Sequence, residues 1–378
     1  MPEPTRLHPA PLIGQLPAGI LLWAALAFTI SFCCFRFSQV DASVLLLVLA
    51  PLLWLPAMPA LRLRDGALEC FVMLALMWQV WMVGVQALVP AALPCGWWRV
   101  AEHAAALATC LFLAVRRDEP RAQLRLFGTG AAAAALLAVG VSGYDGLISS
   151  LQTACFGFGH VNILMNTAGP ALLAWFVLCA HDWHSGRRPS ARDLTILAVG
   201  LGCLLVLAVG TGRRGILVAY GAAAAWFLWR HLLARSAAVG WSVALLAVAL
   251  AGAFAWHVAT ADLVSGRLER INIYRAAWEG AQASFPWGYG YYGALHLQWL
   301  DTEHARHLTA TGGWGMHAHN EFLDTLLDGG PLALLLLCAT LALLAQRVWH
   351  LRDPGLRAAW QAAGVAIGVH LMTDNCYG

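Results

Sequence analysis

The sequence predicts an all-α integral membrane protein, a polytopic bundle of helices. Of its 378 residues 60% are apolar and only 11% are charged, and the mean hydropathy is +0.66. Soluble domains carry about 25% charged residues, so most of this surface must face lipid. Apolar stretches such as residues 194–209 and 330–345 approach the roughly 20 residues that a spanning helix needs. They do not alternate as the strands of a membrane barrel do.

Polar breaks divide the chain into about eleven apolar segments. They are residues 15–35, 43–61, 68–92, 100–115, 126–142, 164–180, 194–210, 215–229, 240–258, 330–346 and 358–373. The first segment lacks a small-residue cleavage site, which favours a membrane helix over a removable signal. An odd number places the C-terminus on the outer side, so we expect a twelfth helix, absent here or missed. Residues 1–142 form an N-terminal set of membrane helices, and residues 143–373 a second region.

The arginines predict the orientation of the bundle. If the N-terminus is cytoplasmic, 15 of the 23 basic residues, all of them Arg, fall in cytoplasmic loops and eight on the other side. This bias agrees with the positive-inside rule. The long polar segment 259–329 is then on the outer, non-cytoplasmic face of the membrane.

Two arginine clusters lie on the side where Arg is disfavoured. They are Arg213 with Arg214 in a short hairpin, and Arg267, Arg270 and Arg275 at the start of the outer segment. Guanidinium groups stay charged and bind phosphate oxygens bidentately, which indicates an anion site. The alternative, equally open from sequence, is that they bind lipid headgroups or pair with nearby acidic side chains.

The outer segment predicts an amphipathic helix at the membrane interface. Its apolar positions are Leu268, Ile271, Ala277 and Trp278, and Arg270, Tyr274 and Arg275 lie on its polar margin. The helix is expected to end at Ser284-Phe285-Pro286. A turn rich in Gly and aromatic residues follows, Trp287-Gly-Tyr-Gly-Tyr-Tyr-Gly293, in which Gly288 and Gly290 permit close backbone approach. Its aromatic rings either stack on sugars or form an interfacial belt.

A histidine pair comes before the next membrane helix, in Met316-His-Ala-His-Asn-Glu321. Histidine is suited to accept a proton from a hydroxyl near neutral pH, which makes His317 and His319 candidate bases. Asn320 either orients a histidine, binds substrate or caps the following helix, which is predicted over residues 322–327 with a turn at 328–331. The spacing does not favour a metal site, and no cofactor is expected.

Three motifs in this order resemble the O-antigen ligase/polymerase superfamily of bacterial membrane glycosyltransferases. Thr211-Gly-Arg-Arg-Gly215 resembles its T-G-S-R-G motif, with Arg213 in place of Ser. Arg270-Ile-Asn-Ile-Tyr274-Arg-Ala-Ala with Pro286-Trp-Gly-Tyr-Gly290 resembles its R-x-x-x-W-x-x-A block and P-x-x-G-x-G turn, with Tyr274 in place of Trp and one residue fewer before the first Gly. His317-Ala-His-Asn-Glu-Phe-Leu323 with Asp328-Gly-Gly-Pro-Leu332 resembles H-x-H-N-x-x-L…G-x-x-G, with Pro331 and Ala333 where a bulkier apolar residue and Gly are common. The resemblance covers roughly residues 150–373.

The resemblance implies a metal-independent, inverting transferase of GT-C-like architecture with twelve membrane helices. Its donor is a glycan on undecaprenyl diphosphate, and its acceptor is a sugar hydroxyl. By motif, Arg214 and Arg270 neutralise the diphosphate and His319 activates the acceptor. The remaining motif residues are expected to bind substrate: Arg213, Arg275, His317, Asn320, Tyr274, Gly288 and Gly290. The exchange at Arg213 leaves open which of the two hairpin arginines contacts phosphate.

The acceptor separates the competing functions. Lipid A–core would make the protein an O-antigen ligase, the favoured interpretation. A growing glycan would make it a polymerase, and pilin a protein glycosyltransferase. A transporter of lipid-linked glycan would show internal repeats and ionisable residues at mid-helix, whereas the polar groups here gather at one face. A scaffold leaves the arginine clusters without a purpose. Membrane lipid is an expected partner, and nucleic acid is not.

Overall fold

The computed structural model describes residues 66–94, 120–144, 161–210, 214–233, 269–306 and 320–373, with isolated positions between 96 and 104, between 236 and 245, and at 318. In chain order the helices are α1 Gly66–Leu88, α2 Pro120–Tyr144, α3 Val161–His184, α4 Ala191–Gly210, α5 Arg214–Leu233, α6 Glu269–Ala283, a 3₁₀ helix Gly293–Trp299, α7 Glu321–Trp349 and α8 Pro354–Thr373. No strand occurs in these described ranges.

The all-α membrane class is confirmed. Four of the described helices are long and apolar enough to cross a membrane: Glu69–Leu88, Pro120–Gly140, Ala191–Ala208 and Glu321–Trp349. Seven predicted segments coincide with α1–α5, α7 and α8, although α7 begins nine residues earlier than expected. Segments 15–35 and 43–61, and most of 100–115 and 240–258, lie outside the described residues. The total of eleven or twelve spans therefore stays a prediction.

Helices α2, α3, α4, α5 and α8 pack into one bundle. Helix α8 contacts both α3 and α5, and α2 contacts α3 and α4. Alanines fill much of the core, and small residues of this kind let membrane helices approach closely. The largest buried side chain is Trp175, and Gly128 on α2 makes room for it because a Cβ there would collide with the indole.

Salt bridges link three segments of the chain at one end of this bundle. Arg121 at the start of α2 bonds both carboxylate oxygens of Asp182 on α3 at 2.8 and 2.7 Å. It also bonds both oxygens of Asp353, in the loop before α8, at 2.8 and 3.1 Å. We name this the salt-bridge end. All three residues fall between predicted apolar segments, at positions that the arginine distribution assigns to the same, cytoplasmic side.

The opposite end carries the outer segment and is named the turn end. There α7 packs against α1, α6 and the 3₁₀ helix. Residues 331–349 of α7 run from the turn end towards the loop that holds Asp353, a length of about 28 Å at 1.5 Å per residue. The two ends are thus separated by roughly the thickness of a bilayer core.

Candidate functional site

A break in α7 organises the turn end. Gly330 has φ 68° and ψ −169°, which interrupts the helix, and Pro331 follows it. Proline has no N–H, and the break displaces the next donors, so the carbonyls of the preceding turn lose their helical partners. The sequence predicted a turn over residues 328–331, and this is wrong in its extent. Gly329 is still helical, and the departure is confined to Gly330.

The Gly-aromatic turn, residues 286–293, supplies the missing donors. The N–H of Tyr289 donates to the Leu327 carbonyl at 2.7 Å, and that of Gly290 to the Asp328 carbonyl at 2.9 Å. The indole N–H of Trp81 on α1 donates to the Gly329 carbonyl at 2.7 Å. The Gly-aromatic turn and the end of the first part of α7, about 40 residues apart in the chain, therefore form one hydrogen-bonded structure.

The carboxylate of Asp328 adds a fourth bond to this structure, accepting from the Gly293 N–H at 2.7 Å. Gly288 has φ +80°, and a Cβ there would lie 2.6 Å from the Asp328 carbonyl oxygen. Gly290 has φ +84°, and a Cβ there would lie 2.8 Å from the Cβ of Ala92. Both glycines are thus required by backbone packing. Contact of Gly288 and Gly290 with substrate stays a prediction.

The tyrosines of the turn are less available for stacking than the sequence suggested. Tyr291 and Tyr292 are buried, and the ring of Tyr289 stacks on His296 with centroids 4.7 Å apart. Trp287 is 53% exposed and stacks on Trp81 at 5.3 Å. Only the tryptophan of this turn presents a large exposed ring, so both the sugar-stacking and the interfacial interpretation now rest on it.

The buried side of α6 differs from the predicted amphipathic face. Its buried side is Ile273, Ala276 and Ala277, which pack with Leu327 of α7 in one cluster. Trp278, predicted to share the apolar face with Ala277, is 54% exposed. The apolar face of the helix is therefore covered by protein. The predicted positions Leu268 and Ile271 lie outside the described side chains.

An exposed arginine on α6 joins a small polar network. The Glu279 carboxylate lies 2.8 Å from His304 Nδ1, and Arg275 Nη1 lies 3.5 Å from His304 Nε2. Burial alone would raise the pKa of Glu279, but hydrogen bonds from Thr302 and His304 and the nearby charges lower it below its usual value. Arg275 thus contacts the edge of the His304 ring, and its side chain is exposed.

Hydrogen bonds made by the side chains of Asn320 and Asp324 fix the chain around the third motif. The Asn320 side-chain oxygen accepts from the N–H groups of Phe322 and Leu323 at 3.0 and 3.1 Å, which makes it the N-cap of α7. Its amide nitrogen donates to the Met372 carbonyl at the end of α8 at 3.3 Å. The carboxylate of Asp324 accepts from the Ala318 N–H at 2.8 Å. Capping, one of the interpretations left open for Asn320, is confirmed.

The described members of the predicted site belong to segments that pack at the turn end: Tyr274 and Arg275 on α6, Gly288 and Gly290 in the Gly-aromatic turn, and Asn320 at the start of α7. Arg214 and Arg270 lie in the first turns of α5 and α6, but their side chains are outside the described set. Arg213, His317 and His319 lie outside the described residues. Helix α5 also starts at this end, because Tyr220 near its start faces His370 near the end of α8.

Several residues that build this end were not singled out from sequence. Gln86 is buried and uses its amide to bond the Leu93 carbonyl and the Tyr291 N–H. Trp81 shares its helix, and both belong to the half of the chain without motif resemblance. Asp324 carried a usable signal, because a carboxylate one turn inside a capped helix can reach the chain that precedes the cap.

Comparison with known families addresses the same stretch of chain. Residues 199–338 match the family model described as O-antigen ligase. The resemblance to the O-antigen ligase/polymerase superfamily is confirmed. The matched range holds all three motifs, the start of α5, helix α6, the turn and most of α7. None of the curated proteins matches the chain. The matched segment thus contributes α6, the Gly-aromatic turn and the first part of α7 to the turn end.

Proposed function

We propose that the protein is an O-antigen ligase of the bacterial inner membrane. It transfers a glycan from undecaprenyl diphosphate to a sugar hydroxyl of lipid A–core on the periplasmic face. The observation that carries this proposal is the O-antigen ligase match over residues 199–338, which contains the three motifs in their family order. The structure supports it by gathering the described parts of these motifs at one end of a membrane bundle.

Charge neutralisation is the first part of the proposed mechanism. As the bond between the anomeric carbon and the diphosphate oxygen breaks, negative charge grows on the leaving undecaprenyl diphosphate. Arg214 and Arg270 bind its phosphate oxygens and stabilise that charge. Arg213 and the exposed Arg275 extend the same positive surface. Arg275 contacts the ring of His304, which lies between it and the Glu279 carboxylate.

Activation of the acceptor is the second part. His319 accepts the proton of the acceptor hydroxyl while its oxygen attacks the anomeric carbon from the side opposite the diphosphate, so the configuration inverts. His317, Asn320, Tyr274 and the glycines of the turn bind the sugars. No metal ion takes part, because the arginines supply the positive charge that a divalent cation would otherwise bring to the diphosphate.

Complementation in two bacterial hosts tests the function. One host lacks its O-antigen ligase and the other its polymerase, and each receives the chain with matched sugars. We expect long glycans on lipid A–core in the first host, read on a lipopolysaccharide gel. Restored chain length in the second host alone would identify a polymerase. Failure in both, with the protein present in the membrane, would contradict lipopolysaccharide assembly and direct attention to pilin or to transport.

A further inference from the structure

The part of α7 before the break at Gly330 carries two acidic residues, Asp324 and Asp328, that each hold a different segment of the chain. Asp324 accepts a hydrogen bond from Ala318, directly before His319, and Asp328 accepts one from Gly293 in the Gly-aromatic turn. They are four residues apart and so lie on one face of the helix. Two carboxylates this close repel each other, and burying either costs free energy. Stability alone does not account for this pair.

Asp324 is the better buried of the two, with 6% of its surface exposed. Its bond to the Ala318 N–H is 2.8 Å long, and the N–H of Asp324 itself donates to the Asn320 carbonyl at 2.9 Å. The residue therefore contacts the chain on both sides of His319. Asn320 is fixed in turn by its cap bonds and by the Met372 carbonyl.

We propose that Asp324 is a positioning residue for the acceptor-activating base: it fixes the backbone on either side of His319. The inference rests on the proposed role of His319, and it adds a residue to which neither motif nor family match gives a part. Base catalysis requires the accepting nitrogen within hydrogen-bond reach of the hydroxyl, and a displacement of about 1 Å can cost about a hundredfold in rate. The Asp324 carboxylate anchors the residue before the base, while the backbone N–H of Asp324 holds the residue after it, and the two bonds together prevent such a displacement.

The chemistry of the acceptor atom gives the proposal a conservative variant. Asp324→Asn keeps an oxygen that can accept from the Ala318 N–H, although a bond to a neutral oxygen is about half as strong. Asp324→Ala removes the acceptor and leaves the N–H without it. Thr325→Ala is the matched control, because Thr325 is the next residue, is equally buried and bonds no part of the His-Asn segment in any described contact.

The test measures glycan transfer by purified protein in proteoliposomes, with undecaprenyl-diphosphate-linked glycan and lipid A–core supplied. We expect Asp324→Ala to lower kcat by about ten- to a hundredfold with an unchanged KM for donor. Asp324→Asn should recover activity to within about threefold of the wild type. The pH profile of the residual activity should keep its shape, because the base itself is intact. Thr325→Ala should behave as the wild type.

Two results would overturn the proposal while leaving the function in place. One is full activity of Asp324→Ala alongside an inactive His319→Ala. The other is equal loss in Asp324→Asn and Asp324→Ala, which would show that the charge, and not the acceptor oxygen, matters. If His319→Ala is itself fully active, the proposed base is wrong and the inference falls with it. Elution of each variant as a single species on gel filtration separates these outcomes from misfolding.

Discussion

The two ends of the bundle use polar groups in opposite ways. At the salt-bridge end Arg121 is enclosed by two carboxylates through four hydrogen bonds, with 22% of its side chain exposed. At the turn end Arg275 is exposed, contacts a histidine ring edge, and lowers the pKa of nearby Glu279 through its charge. Backbone N–H groups and carbonyls make most of the bonds that close this end. The difference teaches that the salt-bridge end pairs its arginine with carboxylates within the fold, whereas the turn end leaves Arg275 exposed.

The largest expected effect is at the turn end, in the variant His319→Ala. A general base contributes about 10²- to 10⁴-fold, so we expect transfer to fall by about a thousandfold with the protein level unchanged. His350, exposed at the salt-bridge end, offers the matched control. His350→Ala should transfer at the wild-type rate in the same gel-based assay. Comparable losses in both variants would remove the functional distinction between the ends.

Arginine to lysine exchange gives the next largest difference. Arg270→Lys keeps the charge but loses the bidentate contact to phosphate, so we expect about a tenfold drop in kcat/KM. Arg187→Lys in the exposed loop at the salt-bridge end should have no effect. Initial rates at varied donor concentration measure both. A fully active Arg270→Lys would mean that position 270 acts through charge alone.

Glycines at the two ends separate backbone strain from packing. Gly288 and Gly186 both have φ +80°, but a Cβ at Gly186 would meet nothing within 4 Å. Gly186→Ala should therefore lower the free energy of unfolding by about 1 kcal/mol, because alanine must adopt the left-handed conformation. In Gly288→Ala the new Cβ also collides with the Asp328 carbonyl, so the free energy of unfolding should fall by about 3 kcal/mol. The midpoints of thermal unfolding in detergent rank the two, and equal losses would contradict the packing of the turn on α7.

The smallest expected effect is a pH dependence at the salt-bridge end. The hydrogen bonds from Arg121 lower the pKa of Asp353 to about 2. Because the unfolded value is about 3.9, the stabilisation is present above about pH 4 and is lost as the pH falls through about 2. Asp353→Asn keeps the cap on the N–H groups of Gly355 and Leu356 but not the charge.

Thermal unfolding of Asp353→Asn and the wild type should therefore differ at pH 7 and converge as the pH falls below about 4. The exposed pair Asp301 and Arg306 supplies the control, since Asp301 is 92% exposed and such pairs contribute about 0 to 1 kcal/mol. A gap between Asp353→Asn and the wild type that stays constant with pH would contradict the role of the ion pair.

Sequence alone was sufficient for the features that depend on local pattern. Apolar runs predicted seven described helices, and an Asn before a helix start allowed the cap at Asn320. The sequence did not predict contacts between residues that lie far apart in the chain. Nothing local indicates that Arg121 meets Asp353, 232 residues later, or that Trp81 reaches the Gly329 carbonyl. Such pairs follow from which helices pack together, and many packings suit a chain that is apolar throughout.

The glycines show the same limit within the candidate site. The Gly-rich turn predicted close backbone approach, but the approaching group was taken to be substrate. The structure places the Asp328 carbonyl against Gly288, because a proline-containing break leaves carbonyls that need donors. Recognising this required both motifs at once.

Reconstituted transfer tests the central claim most directly. The purified chain is placed in proteoliposomes with undecaprenyl-diphosphate-linked glycan and lipid A–core, with EDTA present, and the product is followed on a gel. The account predicts glycosylated lipid A–core in the presence of chelator, and none with His319→Ala. Absence of product from folded wild-type protein, or product that appears only after Mg²⁺ or Mn²⁺ is added, would contradict it.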